Sequence, residues 1–488
     1  MLFNSLVFVL FAGCFFLFWP LCKRNRRGSY VYLIAFSFLF YGWWDWRFLF
    51  LIILSGLIDY LAALAILDRP RYKRLWLIIS LAGNLGSLGL FKYSRFVWTN
   101  LQVVLPFLPA EPPMPDFFLI LPVGISFYTF QSMSYTIDVY RGELTPTRSV
   151  LKFFAYLALF PQLVAGPIVR ARDFLRQLDE PRPVDEPSRY RGAELIVHGY
   201  FKKMVIADNL APFVNTAFAA PAPIPSSAYW WLVMIAFAFQ IYCDFSGYSD
   251  IARGLAKWMG YDFMVNFNHP YTSLSLREFW TRWHISLSSW FRDYVYIPLG
   301  GNKHGKLREA ANLWATMLLS GLWHGASWNF VFWGALHAGF LSLEKLMGYP
   351  RYLAPYRAGR ILLCCVVSIQ VLVAWVFFRA PTLDQAVAIV GILFTFGTAP
   401  MPAPGFEALI LCGGMCLREL YVYLCRTRSV ARPEVPAKPL RSLQPTTEGV
   451  VVLPRWGRQA LSTLTLALAI WAILFLRGRG HEFIYFQF

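Results

Sequence analysis

Residues 310–345 read AANLWATMLLSGLWHGASWNFVFWGALHAGFLSLEK, and this stretch decides the fold class. It is apolar enough to enter a bilayer, yet His324 lies in its middle. Ionisable side chains at membrane depth are costly, so they normally face a bundle interior or a water-filled cavity and mark function. The stretch therefore predicts a membrane protein whose chemistry involves His324.

The composition extends this prediction to the whole chain. Of the 488 residues, 57% are hydrophobic and 15% are charged, and the mean hydropathy is +0.47, whereas soluble proteins carry about 25% charged residues. The net charge of +18 is scattered between apolar stretches. We attribute it to basic loops on the inner side and to attraction to anionic lipids, and we expect a lipid bilayer but no nucleic acid as a partner.

Apolar stretches that approach the ~20 residues of a membrane crossing recur along the chain. Several are short, which favours tilted or re-entrant segments. Together they predict an all-α polytopic protein with about eleven to fourteen such helices. The candidate spans are 3–21, 30–46, 48–67, 74–92, 118–137, 151–168, 194–217, 228–248, 310–324, 328–347, 360–379, 385–397, 405–424 and 458–476.

The loops suggest an orientation and a single domain. KRNRR at 23–27 follows the first apolar stretch, which argues against a cleavable signal peptide and places 23–27 in the cytoplasm. The mixed, proline-containing segment 170–192 predicts a surface loop, and the Pro/Arg-rich segment 426–458 predicts a flexible cytoplasmic loop. We see no internal repeat, so we expect one membrane domain over residues 1–488.

A second histidine lies in a basic, aromatic segment. Ser275 and Glu278 have capping-box spacing, and the pattern predicts one helix from Ser275 to Gly301 with Trp280, Trp283, His284 and Leu287 on one face. This helix could be interfacial, with snorkelling arginines. Alternatively, His284 faces a cavity and cationic side chains contact the phosphates of a donor. The candidate phosphate contacts are Arg277, Arg282, Arg292 and Lys303.

His324 is flanked by Trp323 and Gly325, with Gly321 one turn earlier. Glycine permits close approach by a neighbouring helix or by a thioester chain. A neutral imidazole can take a proton from a hydroxyl group. The alternative is a core histidine satisfied by a backbone carbonyl, and the near absence of other ionisable groups favours function. His337 is interpreted as structural.

Further polar residues in apolar stretches are candidate tunnel-lining residues. Asp244 lies near membrane depth, and it either lines a polar lumen or belongs to an internal salt-bridge network. The same two interpretations apply to its neighbours. The candidate tunnel-lining residues are Trp323, Asp244, Tyr242, Ser246, Gln131 and Asn329.

Other kinds of site are not indicated. The eight cysteines lie mostly in apolar runs and predict neither a disulfide nor a metal site. The chain has no G-x-S-x-G elbow, Walker loop, H-E-x-x-H or dinucleotide-binding motif.

REFWTRWHISLSSWFRDYVYIPLGGN (277–302) and LWHGASWNFVFWGALHA (322–338) resemble the membrane-bound O-acyltransferase (MBOAT) superfamily. The likeness is to the bacterial branch that contains alginate O-acetyltransferase and the D-alanyl-lipoteichoic-acid transferase. PVGISFYTFQSMSYTIDVYRG (122–142) and FPQLVAGPIVR (160–170) are also similar to that branch. So are NFNHPYTSLS (266–275) and the ending FIYFQF (483–488).

The resemblance implies a ring of helices around a thin core with a central tunnel, and catalytic helices within 275–347. His324 matches the near-invariant histidine of the superfamily, and His284 matches its second histidine. The implied donor is cytoplasmic acetyl-CoA, with no permanently bound cofactor. The implied acceptor route is a periplasmic SGNH-hydrolase-like partner and then a polysaccharide. The implied location is the bacterial inner membrane.

Several functions stay open at this point. The favoured one is O-acetylation of an alginate-like polysaccharide, with His324 as general base or transient acyl carrier and His284 positioning or polarising the thioester. Acetylation of peptidoglycan or cellulose, and D-alanyl transfer from a carrier protein, are alternatives within the branch. A lipid or protein acyltransferase and a non-enzymatic transporter or export channel are alternatives outside it.

Overall fold

The computed structural model describes residues 1–395, 405–429 and 455–478, together with Gly397, Ala399, Gly480, His481, Phe483 and Ile484. Within these residues every regular element is helical, which confirms the predicted all-α class. The α-helices are α1 (Leu6–Cys22), α2 (Arg26–Asp45), α3 (Leu49–Asp68), α4 (Lys73–Leu88), α5 (Ser94–Val104), α6 (Ile125–Tyr140), α7 (Val150–Leu157), α8 (Phe160–Leu163), α9 (Ala171–Asp179), α10 (Glu186–Tyr200), α11 (Asp208–Ala219), α12 (Ser227–Met259), α13 (Leu276–Trp280), α14 (Ile285–Phe291), α15 (Lys306–His324), α16 (Trp328–Met347), α17 (Tyr349–Leu353), α18 (Arg357–Arg379), α19 (Leu383–Phe394), α20 (Phe406–Ser429) and α21 (Arg455–Phe475).

Five helical segments of the described chain are long and apolar enough to cross a membrane. Two of them contain successive α-helices joined by short 3-10 or π turns, because the apolar pattern continues through the joint. Many of their large apolar side chains are exposed on the protein surface, as lipid-facing residues are. The chain is therefore a multi-pass membrane protein. The five segments are Arg26–Asp68, Pro70–Val104, Ser227–Met259, Arg357–Arg379 and Phe406–Arg426.

One end of the molecule collects basic loops. Arg148 forms an ion pair with Asp68 at the end of α3, at 3.1 Å, and Lys73 Nζ lies 5.1 Å from the ring centroid of Tyr140 at the end of α6. We call the end that holds these contacts the basic end.

The opposite end, which we call the far end, carries the start of α6. The Tyr41 hydroxyl donates to the carbonyl oxygen of Val123 at 2.9 Å. Phe48 stacks on Phe117 with ring centroids 5.1 Å apart. Helix α6 therefore begins at the far end and runs to the basic end, which fixes the two ends of the site described below.

Helices α15 and α16 form a closely packed hairpin. A Cβ atom on Gly321 would overlap the carbonyl oxygen of Phe330, and a Cβ atom on Gly334 would overlap the carbonyl oxygen of Met317. The two backbones touch because both glycines lack side chains. Of the two roles predicted for glycine beside His324, the structure shows the close approach of a neighbouring helix.

Three predicted segments outside the Ser275–Gly301 stretch differ from the structure. Span 151–168 is two short buried helices, α7 and α8, because the chain breaks at 158–159. Span 118–137 starts as a 3-10 turn, and its α-helix begins only at Ile125. Segment 170–192 is not simply a loop, because α9 lies in it and buries Phe174 and Leu178 against the core.

The predicted loop at 426–458 falls mostly on residues 430–454, which lie outside the described residues. Its first four residues continue α20, and its last four begin α21.

Candidate active site

His324 is the last residue of α15, and its side chain is only 5% exposed. Its imidazole lies among aromatic rings, with centroids 4.9 Å from Trp323, 5.0 Å from Trp333 and 5.2 Å from Phe378. The helix ends here because Gly325 adopts an extended backbone conformation. The rings fix the plane of the imidazole at the end of a helix.

His284 lies at a break between two helices, and the prediction of one continuous helix from Ser275 to Gly301 is wrong. Helix α13 ends at Trp280, α14 begins at Ile285, and His284 has φ 42° and ψ 55°. The backbone N–H of Ile285 donates to the carbonyl oxygen of Asn266 at 2.9 Å, and that of Asn268 donates to Arg282 at 2.9 Å. These long-range bonds replace helical ones.

The left-handed backbone at His284 is costly for a residue with a Cβ atom, by roughly 1–2 kcal/mol. Such strained residues cluster at functional sites, where the surroundings hold them. Because the helix is interrupted, Trp280 and Leu287 do not continue one helical face with His284. The break instead turns the His284 side chain into the core, where the residue is fully buried.

The start of α13 shows the predicted capping by Ser275, and a further carboxylate that the sequence did not reveal. Ser275 Oγ accepts the N–H of Glu278 at 3.0 Å. Glu344 near the end of α16 accepts the N–H of Leu276 at 2.6 Å. One hydroxyl group and one carboxylate thus stabilise the first turn of a short helix, and α16 is tied to the segment that carries His284.

Asn266 determines the tautomer of His284. The Asn266 Oδ1 atom accepts the backbone N–H of Ser286 at 3.1 Å, and it lies 3.2 Å from His284 Nδ1. Because a backbone N–H can only donate, the facing Asn266 atom must be the oxygen. His284 Nδ1 must then carry the proton and donate it. In the neutral imidazole, Nε2 is therefore the lone-pair nitrogen.

Trp323 contacts both histidines. Its ring centroid lies 6.1 Å from that of His284 and 4.9 Å from that of His324. Phe127 on α6 holds the indole from another side, with centroids 5.4 Å apart. The histidines on two separate segments, α15 and the α13–α14 break, therefore meet at one tryptophan.

A cavity of about 80 Å³ opens beside His324. Its walls are the segment 121–127 at the start of α6, Val164, Lys92, Trp323 and His324. Because α6 starts at the far end, this cavity lies on the side of the site away from the basic end. The cavity is large enough only for a small group beside His324.

The MBOAT, membrane-bound O-acyltransferase, family profile matches residues 143–381, which contain both histidines. A probable alginate O-acetylase of Pseudomonas putida is 36% identical over the whole of both chains. A probable alginate O-acetylase of Pseudomonas aeruginosa is 41% identical over 82% of this chain and 76% of its own. A peptidoglycan O-acetyltransferase of Helicobacter pylori is 34% identical over 80% of this chain and 79% of its own.

The chain belongs to the MBOAT family.

Family membership confirms the predicted resemblance and makes this protein an O-acyltransferase. The alternative of a non-enzymatic transporter or export channel is therefore dropped. The predicted histidines lie together in the part of this MBOAT protein that the family profile covers. The other predicted site residues lie in several different surroundings.

In this MBOAT protein Asp244 belongs to an internal ion-pair network. Lys203 Nζ lies 2.8 Å from the carboxylate of Asp244 and 3.0 Å from that of Asp208. Asp244 also accepts the backbone N–H of Ile484 at 2.7 Å. Of the two interpretations of Asp244, its contacts therefore match the internal salt-bridge network. Asp244 anchors a C-terminal residue in the core, where Ile484 is 1% exposed.

Two neighbours of Asp244 are also buried. Tyr242 lies among aromatic rings, 5.7 Å from Tyr271 and 6.4 Å from Trp283 between centroids. The Trp283 ring links it indirectly to the His284 turn. Ser246 Oγ is buried and makes no hydrogen bond within the described chain.

Gln131 and Asn329 each donate a side-chain hydrogen bond to a backbone carbonyl oxygen of another helix or its end. The Gln131 amide donates to the carbonyl of Tyr156 at 3.1 Å, joining α6 to α7. The Asn329 amide donates to the carbonyl of Ala380 at 2.7 Å, joining α16 to the end of α18. Neither side chain lines the cavity beside His324, and a tunnel-lining role for them stays a prediction.

The four predicted donor contacts do not form one cluster. Arg282 is tied to Glu278 at 2.6 Å. Arg292 is exposed and pairs with the adjacent Asp293 at 2.7 Å. Arg277 and Lys303 are exposed on the same 277–303 segment.

His337 packs against Trp333 and Trp280, with centroids 4.7 Å and 5.0 Å away. It stands outside the cavity beside His324, in keeping with a structural role. All eight cysteines are free thiols. Within the described residues, no group of three or more His, Cys, Asp or Glu side chains is placed to hold a metal ion.

Sequence reasoning missed two residues that contact the histidines. Asn266 lies in the segment 266–275 and gives no signal in the sequence, because an asparagine amide is neither an acid, a base nor a nucleophile. Lys92 lies in an apolar stretch, three residues after Gly89, and its ammonium donates to the backbone carbonyl oxygen of His324. A lysine inside a predicted span was the available signal.

Proposed function

We propose that this O-acyltransferase takes an acetyl group from cytoplasmic acetyl-CoA and delivers it across the inner membrane for O-acetylation of an alginate-like polysaccharide. The relatives named alginate O-acetylase and peptidoglycan O-acetyltransferase support an acetyl group and a cell-surface acceptor. The positive-inside rule supports assigning the basic end to the cytoplasm. The observation that carries the proposal is His324, buried at a helix end and lining a cavity that faces away from the basic end.

The reaction needs a base that takes the proton of the acceptor hydroxyl and then returns it to the leaving thiolate. In the proposed step, His324 accepts the proton of an acceptor hydroxyl as the hydroxyl oxygen attacks the thioester carbonyl carbon. The new C–O bond forms, the C–S bond breaks, and the leaving thiolate takes the proton back from the imidazolium. In a two-step variant, an imidazole nitrogen of His324 attacks the thioester carbon, the C–S bond breaks, and the thiolate leaves with the proton that the acylated ring loses. The acceptor hydroxyl then attacks the acetyl carbon, the C–N bond breaks, and the hydroxyl proton returns to the imidazole.

The contact with Asn266 limits which role His284 can have in this step. Because Nδ1–H is engaged by Asn266, the neutral His284 presents a proton-accepting Nε2 atom. It therefore cannot polarise the thioester carbonyl by donating a hydrogen bond through Nε2. We propose that it positions the reactants around Trp323, or accepts a proton transiently, with its orientation fixed by the strained turn.

The donor side is proposed to lie at the 277–303 segment. Exposed Arg277, Arg292 and Lys303 offer cations for the phosphates of acetyl-CoA. No cofactor is proposed to stay bound between turnovers. We propose that a periplasmic SGNH-like protein accepts the acetyl group at the far end and passes it to the polymer.

The test uses the full chain in lipid nanodiscs with acetyl-CoA labelled in the acetyl group. Release of CoA and transfer of label to soluble polysaccharide or to a co-purified periplasmic partner are measured. The His324→Ala variant should lose about 10²–10⁴-fold in rate, the usual contribution of a positioned acid–base group. The matched control is His337→Gln, which removes another buried histidine that packs on the same Trp333; its rate per folded molecule should be retained.

Each outcome separates the alternatives. Retention of the rate in His324→Ala would refute the role of this histidine. Transfer from an acyl-loaded carrier protein, with none from acetyl-CoA, would favour D-alanyl transfer. Labelling of peptidoglycan or cellulose in place of alginate would keep the chemistry and change the acceptor.

A further inference from the structure

The helix that ends at His324 leaves backbone carbonyls without intrahelical partners. The last four carbonyl groups of an α-helix have no N–H groups four residues ahead in the helix. Gly325 leaves α15 in an extended conformation with φ −163° and ψ 152°. The last turn of α15, which carries His324, therefore needs donors from elsewhere in the fold.

Two adjacent residues from another helix provide those donors. Lys92 Nζ donates to the carbonyl oxygen of Trp323 at 2.6 Å and to that of His324 at 3.2 Å. The Tyr93 hydroxyl donates to the carbonyl oxygen of Leu322 at 2.7 Å. Three successive carbonyls at the end of α15 are thus capped by side chains 229–232 residues earlier in the chain.

The local backbone explains how neighbouring side chains serve the same helix end. Residues Gly89–Tyr93 form a π-helical turn between α4 and α5. A π turn widens the helix by one residue and is frequent at functional sites. A cation at a helix C-terminus is also favoured, because the helix dipole places partial negative charge there.

We infer that Lys92 and Tyr93 are positioning residues that hold His324 in its reactive orientation. The inference rests on the proposed role of His324 in acyl transfer. Side chains displaced by about 1 Å can cost 10²-fold in rate, because reacting atoms must meet within a narrow distance. A capped last turn limits such displacement, and the cap acts through the backbone of the residue that carries the imidazole.

The contacts of Lys92 distinguish a cap from a binding site for an anion. Lys92 lines the cavity beside His324, so its ammonium could in principle bind a carboxylate of the acceptor. However, it already has three acceptors: the carbonyls of Trp323 and His324, and Ser126 Oγ at 3.4 Å. An ammonium has three hydrogens, and these oxygens match that number. The structure therefore favours positioning over ligand binding.

The test compares Lys92→Met, Lys92→Arg and Tyr93→Phe in the full chain in nanodiscs. With acetyl-CoA as donor, Lys92→Met should lose about 10- to 100-fold in kcat, with KM for acetyl-CoA unchanged. Lys92→Arg keeps a cationic donor and should recover most of the rate, and Tyr93→Phe should lose less than Lys92→Met. The control is Lys152→Met, which removes a half-buried lysine that pairs with Asp179 at the basic end, and should keep the wild-type kcat.

A second measurement does not depend on the donor. Diethyl pyrocarbonate modifies imidazoles, and mass spectrometry gives the rate at His324 by itself. A frayed last turn should make this rate several-fold higher in Lys92→Met and close to wild type in Lys92→Arg. An unchanged rate, or the same rise in Lys152→Met, would overturn the inference. If the wild type releases no CoA from acetyl-CoA, the proposal that acetyl-CoA is the donor fails. The rate of His324 modification then tests by itself whether Lys92 holds the last turn of α15.

Discussion

His284 Nδ1 and Asn266 Oδ1 lie 3.2 Å apart, and this contact makes Nε2 the proton-accepting nitrogen of His284. The same amide oxygen accepts the N–H and the hydroxyl of Ser286, at 3.1 Å and 2.9 Å. The amide nitrogen of Asn266 donates to Ser249 on α12 at 3.2 Å. One buried asparagine therefore connects a long helix to the strained turn that carries the second histidine.

Removing this amide should affect activity more than assembly. In Asn266→Ala, the His284 ring loses the acceptor that fixes its tautomer. We expect kcat to fall about 10–100-fold, the loss that follows removal of a group orienting a metal-ligating histidine. Kinetics with labelled acetyl-CoA check this result. Asn268→Ala is the matched control, because Asn268 is exposed two residues along and should change kcat little. Equal kinetics for the two variants would contradict the role of Asn266.

The α15–α16 hairpin should not tolerate side chains at its contact glycines. Gly321→Ala places a methyl group against the carbonyl of Phe330, and overpacking of this kind costs on the order of 1–3 kcal/mol. We expect a lower midpoint in thermal unfolding followed by size-exclusion chromatography. In Gly339→Ala, on the same hairpin, the methyl group has no atom within 4 Å. That variant should unfold at or above the wild-type temperature, and a fall equal to that of Gly321→Ala would refute the packing argument.

Two neighbouring lysines should differ in their effect on stability. Lys203→Met leaves the buried carboxylates of Asp244 and Asp208 without their shared cation, and breaking a buried pair costs about 3–5 kcal/mol. Lys202→Met should cost less, because Asp250 keeps Arg253 at 3.2 Å. Thermal unfolding of both variants checks the order. If Lys202→Met lowered the unfolding temperature more than Lys203→Met, the ion pairs of Lys203 with Asp244 and Asp208 would not be the more stabilising ones.

The exposed cationic side chains on the proposed donor side should lower the KM for acetyl-CoA. Arg292→Gln and Lys303→Gln each remove a cation available to phosphate, so we expect a several-fold rise in KM for acetyl-CoA with little change in kcat. Arg282→Gln should change KM less, because Arg282 is largely buried as well as paired with Glu278, whereas Arg292 stays exposed beside Asp293. A salt titration adds a check, because contacts between exposed charges weaken as ionic strength rises. An unchanged KM in both Arg292→Gln and Lys303→Gln would contradict the proposal that acetyl-CoA binds at the 277–303 segment.

The helical class and many helix bounds could be predicted because they depend on local apolar pattern. The predicted span 328–347 matches α16. The segment from Ser275 to Gly301 could not be predicted in the same way. Its local pattern suits a helix, but Asn266 and Asn268 compete for its backbone hydrogen bonds from outside the segment. Burial of Phe174 in α9 was hidden similarly, because the charges around it suggest a loop.

The sequence by itself determined that this is a helical membrane protein of the O-acyltransferase kind, with His324 and His284 as its candidate reactive side chains. Hydrophobic length, charge placement and the motifs around the two histidines are all local properties of the chain. Only the tertiary structure decided that Trp323 lies against both imidazoles, that Asn266 sets the tautomer of His284, and that Lys92 caps the helix ending at His324. These contacts join residues up to 232 positions apart, and packing across such distances leaves no periodic signal in a sequence.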